Sequence, residues 1–191
     1  FIATDIGIRQ QLLQHCLNDA VLQSFNRITV DGDTSTNDAC VLVATGRSGA
    51  VISSASDSAY EQFAEAVTSL CQELAKAIVR DGEGATKLVT IRIVGGRTQG
   101  ECTEAAYTLA HSPLVKTALF AGDPNWGRIL AALRRAGIPA LDISLVDIFL
   151  DEVCVVKCGA RAADYTEEQG VRVMARDEIT ILVALGRGDA W

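Results

Sequence analysis

The sequence predicts an α+β fold, and three observations carry that prediction. A β-branched run, Ile28-Thr29-Val30, and an apolar run, Ala39–Ala44, flank a short polar loop. A long amphipathic helical stretch covers Asp57–Val79. The second half mixes short strands with paired helices and shows no strict strand–helix–strand alternation, which disfavours a doubly wound parallel sheet.

Taken in order, Phe1-Ile2-Ala3-Thr4-Asp5 begins without Met or a signal-peptide pattern and reads as the middle of a strand or helix. Arg9–Phe25 places Leu12, Leu13, Cys16, Leu17, Ala20 and Val21 on one helical face. Strands are expected around 28–30 and 39–45, with a turn at Gly46-Arg47-Ser48-Gly49. The Asp57–Val79 helix carries Phe63, Val67, Leu70, Leu74 and Ile78 as its expected buried stripe. It exits through the glycine-rich Arg80–Gly84. Lys87–Val94 alternates as a half-exposed strand and ends at Gly95-Gly96. Glu101–His111 reads as a helix, Ser112-Pro113 starts another, Ala121–Asn125 is a break, and Trp126–Ala136 is helical. Strands near 143–149, 153–157 and 178–185 and a helix over Thr166–Met174 complete the chain.

Composition narrows the function classes. The 191 residues are 49% apolar and 21% charged, with 17 Lys+Arg against 24 Asp+Glu, a net charge of −7. No block of basic residues is present, so binding to nucleic acid or to an anionic membrane surface is not expected. No apolar run is long enough to span a bilayer. Six cysteines, at 16, 40, 71, 102, 154 and 158, form no CxxC pair. Cys16, Cys40 and Cys71 fall on apolar faces and are expected to act as small hydrophobes. Cys154 and Cys158, four apart on a predicted strand, would share a face. Only two histidines exist and neither is near that pair, which disfavours a metal site. The cysteine pattern therefore predicts a reducing, cytoplasmic setting.

Three segments could carry chemistry. Asp31–Asp38 packs three carboxylates, three hydroxyls and an amide into eight residues. Side chains this short bond to nearby backbone, so a self-capped loop is the leading reading on residue chemistry. An EF-hand is excluded because Thr36 stands where the loop needs Gly. A Mg²⁺-dependent phosphohydrolase using Asp31 and Asp33, with Asp123 as a second acidic position, is an alternative. In Arg80–Thr86, glycines on both sides of Glu83 let backbone approach a ligand, and its carboxylate could receive a substrate ammonium. In Gly122–Arg128, Asp and Pro suit a helix start, but that role does not explain Asn125, Trp126, Gly127 and Arg128 together. His15 and His111 have no acid or nucleophile beside them in the sequence pattern. Arg187-Gly188-Asp189 reads as a coincidence.

Together these segments resemble the ornithine acetyltransferase (glutamate N-acetyltransferase) family of arginine biosynthesis. The resemblance runs in order through Thr4-Asp5, Asp31-Gly-Asp-Thr-Ser-Thr-Asn-Asp38, Asp81-Gly-Glu-Gly-Ala-Thr-Lys87, Leu114-Val-Lys-Thr-Ala-Leu-Phe120, Asp123-Pro-Asn-Trp-Gly-Arg128 and Leu185-Gly-Arg-Gly-Asp189. It implies a precursor that cuts itself into two chains, of which this sequence resembles the second, the β chain. The nucleophile would be the β chain's N-terminal Thr, in a Thr-Met-Leu-x segment just upstream of Phe1, so no catalytic residue is assigned within the given residues. Thr4 is not that nucleophile. Family members continue past Gly188-Asp189 into a tail that reaches the substrate.

The resemblance also implies an αββα sandwich of the N-terminal-nucleophile type, shared with an α chain, over residues 1–85. A smaller α+β domain is expected over 86–191. The implied reaction moves acetyl from N-acetylornithine to glutamate through an acetyl-threonine, with acetyl-CoA as a possible second donor and no metal or nucleotide cofactor. The implied partner is the α chain of the same precursor in an α2β2 heterotetramer. Glu83 is the expected substrate-binding residue. A non-catalytic binding subunit is a further alternative.

Overall fold

Residues 2–8 run parallel to residues 42–52, and this pairing organises the first half of the chain. The computed structural model describes residues 1–191. It divides into two compact units, Phe1–Glu83 and Gly84–Trp191.

In the first unit the elements are β1 (Ile2–Thr4), β2 (Gly7–Ile8), α1 (Gln10–Leu22), β3 (Leu42–Ala44), β4 (Val51–Ile52) and α2 (Ser58–Arg80). β1 pairs with β3 and β2 with β4, both in parallel. The Ile2 N–H donates to the Val41 carbonyl at 2.8 Å and the Gly7 N–H to the Ala50 carbonyl at 2.8 Å. Between the pairs Thr4–Ala44 and Gly7–Val51, one strand advances three positions and the other seven. The surplus is the predicted turn at Gly46-Arg47-Ser48-Gly49, whose two glycines adopt φ of 69° and 79°. Asp57 caps α2 by accepting from the Ala59 N–H at 3.0 Å.

Two expectations for this unit fail. Ile28–Val30 forms no strand, and β3 is shorter than the predicted 39–45. The strand partner of residues 42–52 is the chain start instead, so the 28–30 run is left outside the sheet. Leu70, Leu74 and Ile78 are exposed and do not form a buried stripe. The buried positions of α2 are Tyr60, Val67, Cys71 and Ala75, while α1 buries Cys16 and Ala20. Cys16 and Ala20 share a core cluster with Tyr60, Val67 and Cys71, so the buried face of α2 runs through these residues and leaves Leu70, Leu74 and Ile78 off it.

In the second unit the elements are β5 (Leu88–Val94), α3 (Gln99–Ala110), α4 (Pro113–Ala121), α5 (Trp126–Arg134), β6 (Asp147–Leu150), β7 (Val153–Lys157), β8 (Ala160–Arg161), α6 (Glu167–Met174) and β9 (Glu178–Ala184). They build a five-stranded sheet in the order β5-β9-β6-β7-β8, parallel between β5 and β9 and antiparallel elsewhere. This is α+β, as predicted. Helix starts follow the sequence signals. Thr98 accepts from the Glu101 N–H at 3.2 Å, Ser112 from the Val115 N–H at 3.4 Å, and Thr166 with Gln169 forms a capping box. Leu109, Leu133, Ile148, Leu150 and Ile181 are fully buried between sheet and helices.

Residues 143–145 form a 3₁₀ turn, not the expected strand, because Asp142 accepts from the Ser144 N–H at 2.9 Å and closes the backbone there. Cys154 and Cys158 do not share a strand face. Cys158 lies past the end of β7 with φ of 49°, in an exposed turn. All six cysteines are free. No helix is long and apolar enough to cross a membrane.

Gly170 in α6 offers a test of packing against propensity. A Cβ there would lie 2.6 Å from Pro124 Cβ and 2.3 Å from the Tyr165 hydroxyl. Helix propensity alone favours Ala over Gly by about 1 kcal/mol. Overpacking should reverse the sign, so Gly170→Ala is expected to lose about 1–3 kcal/mol. Urea unfolding of the assembled protein measures this, and a stabilised variant would show that the contact yields freely.

Candidate active site

Glu83 sits in the turn that ends α2. The Asp81 N–H closes the helix on the Ala77 carbonyl at 3.0 Å, and the Gly82 N–H reaches the Val79 carbonyl at 3.2 Å. Gly84 then takes φ of 71°, where a side chain would be strained. Glu83 is exposed and makes no ion pair or hydrogen bond of its own. Its carboxylate is therefore placed by backbone alone and stays open to a cationic group. A Cβ on Gly82 would stand 3.1 Å from Val30 Cγ1 and 3.2 Å from the Val79 carbonyl, so the turn rests directly on Val30.

Val30 is the entry to the Asp31–Asp38 loop. Asp31 Oδ1 accepts from the Asp33 N–H at 2.8 Å, forming an Asx turn. Ser35 Oγ accepts from the N–H groups of Asn37 at 3.3 Å and Asp38 at 3.1 Å. The loop is thus self-capped, and its side chains are exposed. No group of three or more His, Cys, Asp or Glu side chains is arranged to hold a metal ion, so the Asp31/Asp33 phosphohydrolase reading finds no third ligand. The loop's exit, at Val41, bonds the start of β1 through Ile2. One end of the loop therefore abuts the Glu83 turn and the other the first residues of the chain.

The Gly122–Arg128 segment is the elbow between α4 and α5. Gly122 ends α4 in the left-handed conformation. Asn125 Oδ1 accepts from the Arg128 N–H at 3.2 Å, while its Nδ2 donates to Asp123 Oδ2 at 3.0 Å. Arg128 ties back to α4, donating to the Leu114 carbonyl and to Thr117 Oγ1, both at 3.0 Å. Trp126 packs against the core. Asn125 and Arg128 are thus joined in one structural knot, and Asn125, not the expected Asp123, caps α5.

The Arg187 side chain has a structural role. It is 4% exposed, pairs with Glu101 at 3.3 Å, and donates to the carbonyls of Pro139 at 2.8 Å and Ala140 at 2.5 Å. The glycines around it permit close backbone contact: a Cβ on Gly188 would meet the Gly96 carbonyl at 2.6 Å. Glycine pairs at the ends of two predicted strands were the sequence signal for this junction. The Arg97 N–H, then Arg187, hold the Glu101 carboxyl below its ordinary value.

Elsewhere, an open groove of about 840 Å³ runs along α1 and α2, floored by Cys16 and Tyr60. It holds none of the predicted site residues. Burial pushes the Cys16 thiol up to about 11, which makes it a poor nucleophile. His15 does have an acidic neighbour, with Asp19 3.4 Å away on the next helical turn, but both are exposed. His111 ends α3 and packs by Tyr107.

Known proteins were compared with this fold and sequence. The model of the ArgJ family matches residues 1–191. "Arginine biosynthesis bifunctional protein ArgJ" of Pseudomonas fluorescens (strain Pf0-1) is 56% identical over 190 residues, covering 99% of this chain and 47% of that protein. The protein of the same name from Methylococcus capsulatus is 57% identical, covering 100% and 47%. The chain therefore spans about half the length of the curated relatives it matches. The crystal structure of the arginine biosynthesis bifunctional protein argJ from Bacillus halodurans superposes with a TM-score of 0.93 at 35% identity, covering 100% of this chain and 89% of that one.

The Glu101 environment makes a pH prediction. A carboxyl held low in the folded state contributes stability that is fully present above its ordinary value of 4.5 and is lost as pH falls through the folded value. Glu101→Gln should therefore differ most from the parent near neutrality, with the gap closing below that value. Denaturation midpoints measured across pH check this, and a pH-independent gap would contradict it.

Proposed function

The chain belongs to the ArgJ family, and from that membership we propose that it is the β chain of a self-cleaved ornithine acetyltransferase. The reading assigns acetyl transfer from N-acetylornithine to glutamate. The single observation that carries it is the family match over the whole chain, together with relatives named for arginine biosynthesis. Those relatives are named bifunctional, and the reading includes acetyl-CoA as a second acetyl donor. It sets the enzyme in the cytoplasm, consistent with six free thiols.

An α chain from the same precursor would complete the first unit. The mini-sheet buries Ile2, Leu42 and Ile52 on one face, while Val41, Val43 and Val51 on the other are 37%, 46% and 66% exposed. Covering each valine would contribute roughly 1.5 kcal/mol or more. An apolar face of this kind suits a second sheet layer, giving an αββα sandwich over residues 1–85, and residues 86–191 form a separate α+β domain. The assembly in this reading is α2β2.

The nucleophile is the Thr hydroxyl just upstream of Phe1. Its own α-amine, titrating near ~8, takes the hydroxyl proton. The oxygen adds to the acetyl carbonyl, and donors from the α chain stabilise the oxyanion. The carbon–nitrogen bond breaks, ornithine leaves with the proton, and acetyl-threonine remains. The glutamate amine then attacks the ester, the acetyl carbon–Oγ bond breaks, and Oγ recovers a proton. No metal or nucleotide takes part. The exposed Glu83 carboxylate receives the substrate ammonium through charge-assisted hydrogen bonds.

Steady-state kinetics of the purified assembly test this reading. Parallel double-reciprocal lines for N-acetylornithine and glutamate are expected, with full activity in EDTA. Glu83→Gln should raise KM for N-acetylornithine about 10- to 100-fold, the worth of a charge-assisted bond. Intersecting lines, or an unchanged KM, would contradict it. Val43→Asp should sharply reduce co-purification of the α chain, whereas Val43→Ala should not.

A further inference from the structure

Glu83 has no side-chain partner of its own, so something else must fix where its carboxylate points. The backbone turn around it has two constraints. Gly84 supplies the left-handed bend, and Gly82 lies flush on Val30, with a would-be Cβ 3.1 Å from Cγ1 and 3.7 Å from Cγ2. Both valine methyls therefore face the turn. Val30 is itself 41% exposed and contributes little to the core. Its β-branched side chain has a stiff χ1, which suits a rigid abutment better than a flexible chain would. Behind it, the Asx turn at Asp31 and the Ser35 bonds tie the exposed loop to itself.

We propose that Val30 is a positioning residue for Glu83, acting through Gly82, and that the self-capped Asp31–Asp38 loop is its support. The inference rests on the reading of Glu83 as the substrate-ammonium site. It gives the loop a role that neither metal binding nor direct chemistry supplies. Loosening the abutment lets the turn settle toward Val30 and withdraws the carboxylate from the ammonium. Binding suffers, while the acetyl-transfer step at the threonine does not.

The test measures KM, kcat and thermal midpoint on the assembled enzyme with N-acetylornithine. Val30→Ala should raise KM about tenfold with kcat within about twofold, since it weakens a charge-assisted bond worth about 10- to 100-fold in binding without removing it. Val30→Thr, which keeps the branched shape, should restore KM to within about twofold of the parent. Gly82→Ala should raise KM by pressing on Val30. The double variant should fall short of the product of the single effects, because removing the methyls relieves the new contact. Glu83→Gln separates the ammonium site from the positioning role of Val30. If it leaves KM unchanged, the ammonium-site reading and this inference fall together. If it raises KM while Val30→Ala does not, only the positioning role is overturned. A loss of kcat in parallel with thermal midpoint, or single effects that simply multiply, would likewise overturn it.

Discussion

Parallel pairing of the chain's first residues with residues 42–52 is the constraint on which the first unit depends. Parallel neighbours cannot be joined by a tight hairpin, so the chain must cross over between them. That crossover consists of α1 and the Asp31–Asp38 loop. The helix seals one face of the mini-sheet, and the loop returns the chain to the β1 end. The same pairing leaves valines bare on the opposite face. The bare apolar face of this unit and the loop that frames Glu83 thus have one cause.

Close backbone approach is the second recurring device. Gly82 against Val30, Gly170 against Pro124 and Tyr165, and Gly188 against Gly96 each mark a place where a side chain would not fit. In each case the glycine joins segments distant in sequence. The knot of Asn125 and Arg128 and the part-buried Arg187–Glu101 pair do the same work with polar groups. Arg187 keeps its charge inside because two backbone carbonyls and a carboxylate meet its fork of donors.

Much of this was legible in the sequence. The helices of the second unit start at or within two residues of where the sequence places them, because capping is a local interaction between neighbours, although Thr98 and Asn125, not Glu101 and Asp123, mark two of the starts. The short-side-chain chemistry of Asp31–Asp38 already indicated self-capping, and the flanking glycines already exposed Glu83. The partner of residues 42–52 was not legible, since strand pairing across forty residues leaves no local mark. The buried face of α2 was misjudged for a related reason. Hydrophobicity favours the leucines, but packing with α1 selects the face of Tyr60, Val67 and Cys71. The support that Val30 gives to Gly82 is likewise a long-range contact between two unremarkable residues.

In the proposed reading the acetyl group is carried on a threonine just ahead of Phe1 and the donor's ammonium is bound at Glu83. The most direct measurement is peptide mass mapping of the purified assembly after exposure to N-acetylornithine without glutamate. The account predicts a single acetyl group on the threonine that precedes Phe1, discharged when glutamate is added. An acetyl group on a residue within 1–191, or none at all while transfer proceeds, would contradict it.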